Sequence, residues 1–473
     1  MRKLQFTVSG LLLCLSFGQV YGQSDAGRQE ADLILDHATV VTMDEAYRVI
    51  ENGAVVISDG LIVDIGQRDI LERYEATNVL DVSGDIVMPG FVNTHTHLAM
   101  SVFRTLGEDI ADRLHRYLFP LEAQFADLEM VRIGTRLGVL ESIKGGTTTL
   151  VDMYYFEGAV AEVLDKAGLR GVVGETIMTF KTPDADKPSD AIQRTIDLIH
   201  QYKDHPRIFP AFAPHGPYTN STETLREIAA LSEKYDTRIT SHVAESVIES
   251  EEIAARGARS SVAYLETTGL LSSRLLIAHA ILVDDADIAL LKKYDVGVGH
   301  CVSANTKSAK GVAPVPAMLA RGINVGLCTD GPMSGNGLSV LDELPQVGKI
   351  HKLNLADREA MPVRDIVAMA TIGGARALGM EDSIGSLEVG KQADIIVVDT
   401  TAPNMTPIFD YYAALVYSAL ATNVKHMIVA GSVIMKDRQV LTMDEASVIQ
   451  EAQDLSARIA KRLYNGGVRM DNN

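Results

Sequence analysis

Met88-Pro-Gly-Phe-Val-Asn-Thr-His-Thr-His97 is a short apolar run that ends in a His-X-His pair. On a strand, successive side chains alternate faces, so His95 and His97 point the same way, about 7 Å apart along the chain. Two imidazoles on one side of a strand end can converge on one metal ion. Two surface histidines would read the same in isolation, so the pair takes its meaning from the rest of the chain.

Seven further apolar runs come after it, separated by helical patterns such as Thr222–Lys234 and Asp284–Lys293. They are Gly146–Asp152, Arg170–Glu175, Ile208–Ala213, Arg238–His242, Leu275–His279, Val296–His300 and Ile323–Asp330. Eight strand–helix units in succession predict an α/β fold, a (β/α)8 TIM barrel spanning 89–375. A doubly wound open sheet is the structural alternative. No Gly-X-Gly-X-X-Gly follows the first run, which argues against dinucleotide binding.

The C-terminal ends of these runs carry the polar groups. The first ends in His95 and His97, the fourth reaches His215, and the fifth, sixth and seventh end in His242, His279 and His300; the eighth ends in Asp330. In a barrel, C-terminal strand ends gather at one rim, where active sites form. His37, His115, His200, His205, His351 and His426 lack such placement and read as surface or supporting groups.

The flanks read differently. Asp32–Met43 and Gly53–Gly66 alternate as short strands, with Asp59-Gly60 as a hairpin turn, and Gly385–Asp399 and His426–Met435 repeat the pattern near the other end. They predict a small composite β-sandwich domain built from 23–88 and 376–440, followed by a helical tail over 441–473. At the N-terminus, Arg2 and Lys3 precede a mostly apolar Val8–Val20 too short to span a bilayer, and Val20-Tyr-Gly22 offers small residues for cleavage. Residues 1–22 thus read as a signal peptide, with an exported, periplasmic or secreted mature chain starting near Gln23. An uncleaved anchor is the other reading.

The 473 residues are 47% hydrophobic and 22% charged, as in soluble globular proteins. A net charge of −19 argues against nonspecific binding to nucleic acid or to an anionic membrane. The expected partner is a small-molecule substrate, and self-association into a homo-oligomer stays open. Of the 3 cysteines, Cys14 falls in the leader, while Cys301 and Cys328 each sit beside a strand-end motif and are expected as buried free thiols. Neither a Cys-X-X-Cys zinc pattern nor a Gly-X-Ser-X-Gly elbow is present.

Pro89–His97, His242-Val-Ala-Glu245, Ala278-His279, Cys328-Thr-Asp-Gly331 and the tail Gly385-Ser-Leu-Glu-Val-Gly-Lys-Gln-Ala-Asp394 together resemble the amidohydrolase superfamily. Within it they are most similar to the S-adenosylhomocysteine/5′-methylthioadenosine deaminase branch, which also includes triazine hydrolases. The resemblance covers nearly the whole mature chain, to about residue 440. It implies one divalent metal, Zn²⁺ before Fe²⁺, held by His95, His97, His242 and Asp330. No lysine accompanies Phe212-Ala-Pro-His215 on the fourth strand, where binuclear relatives carry one, so a single metal is expected.

The resemblance also implies the chemistry. The metal makes hydroxide available near neutral pH, and the hydroxide attacks a ring carbon with release of ammonia. Glu245 protonates the ring nitrogen, His279 steadies the attacking oxygen, and Asp330 carries a proton to the leaving group. Glu122, in Pro120-Leu-Glu122, matches a ribose-binding acid, His215 resembles a histidine that contacts the purine, and His300 and Asn305 match a strand-seven loop motif on the substrate side, where Ser303-Ala-Asn-Thr departs from the family pattern. At the end of strand three, Glu175 stands where homocysteine-specific members carry an arginine, and an acid there would repel a carboxylate. This points away from S-adenosylhomocysteine, toward adenosine, methylthioadenosine or another aminated heterocycle. The function expected is hydrolytic deamination of a purine nucleoside or related heterocycle. An exported amidohydrolase for amide, ureide or halogenated-triazine bonds and a non-catalytic barrel scaffold are the competing readings.

Overall fold

The computed structural model describes residues 28–465. The signal-peptide segment 1–22 and Cys14 lie outside them. Eight parallel strands form a nearly closed barrel: β1 (Phe91–Thr96), β2 (Thr147–Tyr154), β3 (Arg170–Ile177), β4 (Ile208–Pro214), β5 (Arg238–Val243), β6 (Leu275–His279), β7 (Gly297–His300) and β8 (Val325–Leu327). Each pairs with its neighbours in chain order. The two ends of the sheet meet where the Thr94 hydroxyl donates to the Leu327 carbonyl at 2.8 Å and the Asp330 amide donates to the His95 carbonyl at 3.1 Å.

Helices cover the barrel for the reasons their sequences suggest. Thr222–Tyr235 buries Leu225 and Ile228 against the strands, and its N-terminus is capped by Ser221, whose side chain accepts from the Thr224 amide at 3.1 Å. Asp285–Lys293 opens with a capping box between Asp284 and Asp287. β2 and β3 are buried along their whole lengths, their polar residues such as Asp152 and Arg170 included.

A separate nine-stranded mixed sheet draws strands from both ends of the described chain, among them Gln29–Val41, Val49–Ser58 and Ile86–Pro89 with Ile395–Val398 and Val424–Val429. Ile86–Pro89 runs into β1 through Gly90, where a Cβ would fall 2.1 Å from the Thr148 side chain. Only glycine lets the chain pass so close. A buried Arg170–Asp394 ion pair, 3.0 Å, ties barrel to sheet. The C-terminal helix Glu445–Asn465 lies on the helix Leu128–Lys144 through Arg136–Glu451 and Lys144–Glu445 pairs. Among the described residues, no helix is long and apolar enough to cross a membrane.

Candidate active site

The C-terminal ends of β1, β5 and β6 and the turn after β8 bring His95, His97, His242, His279 and Asp330 to one point. One ligand atom from each of His95, His242, His279 and Asp330 lies within 4.8 Å of the others, a group that could hold a metal ion. His97 reaches the same place, with its Nε2 3.2 Å from Asp330 Oδ1 and 3.3 Å from His242 Nε2. His279 and Asp330 both have left-handed backbones, φ 76° and 58°. Non-glycine residues are held in that region at a cost, and such positions cluster at functional sites.

Three of the four imidazoles are oriented from behind. His97 Nδ1 donates to the Met153 carbonyl, and His242 Nδ1 donates to the His215 carbonyl at 2.7 Å. His279 Nδ1 donates to Asn305 Oδ1 at 2.8 Å. In every case Nε2 is left to face the centre, the arrangement metal-ligating histidines use. Both ring nitrogens of His95 and Nε2 of His279 are buried without a hydrogen-bond partner, a condition buried polar groups rarely tolerate.

The electrostatics run in the same direction. Burial, with neighbouring histidines adding to it, holds His95 well below its ordinary value and His242 at about 4, so both are neutral ligands in waiting. Burial would lower His97 too, but Asp330 outweighs it and raises the ring to about 9. Asp330 is held well below the carboxylate range: burial pushes it up, and the His97 hydrogen bond and surrounding histidines more than offset that. The pull of Asp330 on a proton at His97 is the pull it would exert on a cation there. Three imidazoles and a carboxylate around orphaned ring nitrogens therefore fit a divalent ion of zinc type.

The cluster opens into a cavity of about 360 Å³ lined by His97, His215, His242, Glu245, His279, Asp330 and Glu122, among others. Glu245 Oε1 lies 3.8 Å from His279 Nε2 and is ion-paired with Lys310. Burial alone would raise its carboxyl, yet the charges of His279 and Lys310 hold it far below the ordinary range. Glu122 comes from the short helix Phe119–Phe125, is 4% exposed, and accepts from the Tyr155 hydroxyl at 3.2 Å; burial pushes it up to about 7. The His215 ring packs edge-on against Phe119, centroids 5.6 Å apart.

Three expected substrate contacts are corrected. Glu175 does not line the cavity: β3 continues two residues past it to Ile177, and it is Thr176 and Met178 that face the substrate space. Glu175 turns instead toward the helix Glu157–Ala167 and accepts from the Glu157 amide at 3.0 Å. His300 is buried outside the cavity, its Nε2 3.0 Å from His351 Nε2. Asn305 stands behind His279. The expected free thiols are corrected as well, since Cys301 and Cys328 form a disulfide. The pairing of His300 with Leu327 places the next residue of each strand side by side.

The sequence reading missed Lys310, Tyr154, Tyr155 and the run Glu108–His115, all of which line the cavity. His115, read as a surface or supporting group, is among them. The signal available for Lys310 was its place in the loop after a barrel strand, since such loops build the active-site face.

Comparison with known proteins agrees with this geometry. The sequence profile described as "Amidohydrolase family" matches residues 86–434. The chain is 39% identical over 436 residues to a 5-methylthioadenosine/S-adenosylhomocysteine deaminase of Syntrophobacter fumaroxidans, covering 92% of this chain and 99% of that one. It is 37% identical over 434 residues to a 5′-deoxyadenosine deaminase of Methanosarcina acetivorans, with 91% and 99% covered. Among solved structures, an adenosine deaminase from Xanthomonas campestris with bound zinc superposes with a TM-score of 0.90 at 32% identity, covering 92% of this chain and 100% of that one.

Proposed function

The chain belongs to the amidohydrolase family, and on that premise we propose that it hydrolytically removes the ring amino group of an adenosine-like nucleoside and releases ammonia. The observation that carries this reading is one cavity that presents Glu245, His279 and Asp330 beside the histidine cluster and also holds the buried Glu122. Similarity to adenosine-derivative deaminases over nine-tenths of the chain supports it.

His95, His97, His242 and Asp330 would hold the metal, which we assign as zinc on its donor set, with Fe²⁺ the ion that accepts the same ligands. A divalent ion there supplies a Lewis acid that lets water act as a nucleophile near neutral pH. The chain's own groups manage the protons. Water's oxygen bonds to the amino-bearing carbon and the carbon–nitrogen bond breaks. One water proton ends on the adjacent ring nitrogen, the other on the departing amine. Glu245, beyond the end of β5, carries the first, and Asp330 carries the second. His279, held by Asn305, faces the attacking oxygen as charge develops on it. Glu122 accepts hydrogen bonds from the ribose hydroxyls, and its shell of protein excludes competing water.

The test is direct. Purified, metal-analysed protein is given adenosine, 5′-deoxyadenosine and methylthioadenosine, and ammonia is measured. Turnover of at least one, lost on chelation and restored by zinc, is expected. No ammonia from any of them overturns the reading.

We also assign the mature protein to the periplasm or the exterior. The leader-like Arg2–Gly22 and the Cys301–Cys328 disulfide, a bond favoured in oxidising compartments, support this. Cell fractionation with N-terminal sequencing tests it, and a cytoplasmic protein that retains Arg2 would refute it.

A further inference from the structure

The segment after β7 forms the helix Val302–Lys307 and then reverses through Ala309, φ 54°, and Gly311, φ 125°. Ala309 sits in the left-handed region that a non-glycine residue adopts at a cost. The turn is fixed by the Lys310 amide, which donates to the Asn305 carbonyl at 3.0 Å. It brings the Lys310 side chain to the cavity wall, where its ammonium pairs with Glu245 Oε1.

We propose that Lys310 is a positioning residue for deamination, holding one oxygen of Glu245 so that the other is presented to the substrate's ring nitrogen. The proposal rests on the deaminase reading above. A glutamate carboxyl turns easily about its last bond, and proton transfer requires one oxygen within hydrogen-bond reach of the nitrogen. Oε1 faces both Lys310 and, at 3.8 Å, His279 Nε2. The carboxylate plane is thereby set, and Oε2 is the oxygen left for substrate.

Among the described residues, no other lysine or arginine of the cavity wall is placed to do this. Lys307 pairs with Glu108 at 2.7 Å, and Arg113 donates to the Met333 carbonyl. The same loop supplies Asn305 to His279. One turn of chain thus orients both groups that act on the reacting atoms without belonging to the proposed ligand set.

The experiment compares Lys310→Met and Lys310→Arg with the wild-type holoenzyme, measuring metal content, Tm, kcat and KM on whichever adenosine derivative the wild type turns over. For Lys310→Met, kcat falls about 10- to 100-fold while KM stays within about threefold and metal content and Tm hold, the signature of a displaced group rather than a lost fold. Lys310→Arg recovers most of kcat. A Lys310→Met kcat within about twofold of wild type, or a loss lying wholly in KM, overturns the proposal. Wild-type protein that deaminates nothing overturns the deaminase reading itself. Crystal structures of the wild type and Lys310→Met decide the positioning claim independently of turnover: the Glu245 carboxylate should leave its place in the variant, and an unmoved carboxylate refutes it.

Discussion

Asn305 Oδ1 accepts a hydrogen bond from His279 Nδ1 at 2.8 Å, and neither residue is open to solvent. The bond fixes the tautomer: with the proton on Nδ1 engaged behind the ring, Nε2 faces the reacting centre. Removing an orienting partner of this kind typically costs about 10- to 100-fold in activity. Asn305→Leu should therefore lower kcat by about that factor. Asn305→Asp, which keeps the acceptor, should lose less. Steady-state kinetics on both variants checks the order, and equal losses would show that Asn305 acts only through packing.

The Cys301–Cys328 bond closes a loop with a sequence separation of 27 and joins the positioning loop after β7 to the strand that leads into Asp330. Chain entropy for a loop of that size gives about 3.5 kcal/mol of stabilisation. Cys301→Ser/Cys328→Ser should therefore lose about that much unfolding free energy, seen as a lower urea midpoint. Both sulfurs are fully buried, so the native protein should resist mild reductant and yield its thiols only after denaturation. Thiol titration before and after unfolding tests this, and free thiols in the oxidised, denatured protein would show that the bond does not form.

Glu343, on the helix Val340–Leu355, is 5% exposed and accepts from the Ser303 amide at 3.1 Å. Burial raises its carboxyl to about 7, which hydrogen bonding from Ser303 only partly opposes. A folded value above the unfolded one means that the native state binds more protons between them, so stability falls as pH rises. The contribution is complete below about pH 4 and lost through pH 7, on the order of 3 kcal/mol. Glu343→Gln should flatten that stretch of the stability–pH curve. Urea titrations of the wild type and the variant at pH 5 and pH 8 measure it, and parallel curves would refute the assignment.

The barrel and its rim were legible because strand periodicity and strand-end position are local properties of a sequence. His95, His97, His242, His279 and Asp330 each close an apolar run, and a barrel gathers such ends. Side-chain parity was not legible where a strand's end was misjudged. β3 runs on to Ile177, so Thr176 rather than Glu175 faces the cavity. His300 sits at a strand end as His279 does, yet its ring meets His351 from a helix far along the chain. The disulfide was hidden for a related reason: its two cysteines become neighbours only once β7 and β8 are paired. Lys310 depends on a left-handed turn at Ala309, for which alanine gives no warning.

With Glu175 turned away from the cavity, selectivity among 5′-substituted adenosines has to come from other residues. Among the described residues of the cavity wall, Lys310 is paired with Glu245 and Lys307 with Glu108, and Arg113 is held by the Met333 carbonyl. Asp109 and Asp112 also line the wall, with Ile110, Leu118, Phe119, Met178 and Ile248 as its apolar part. An aminocarboxylate tail would meet the acids Glu108, Asp109 and Asp112 along this wall, whereas a methylthio or deoxy group would meet apolar side chains. The kcat/KM for methylthioadenosine or 5′-deoxyadenosine should exceed that for S-adenosylhomocysteine by more than about tenfold, a difference of about 1.4 kcal/mol in transition-state binding. Glu108→Gln removes one acid and leaves the Lys307 charge without its anionic partner, so the ratio should narrow in that variant. Initial rates for the three substrates measure both effects; comparable rates in the wild type, or a ratio unmoved by Glu108→Gln, would place the selectivity elsewhere.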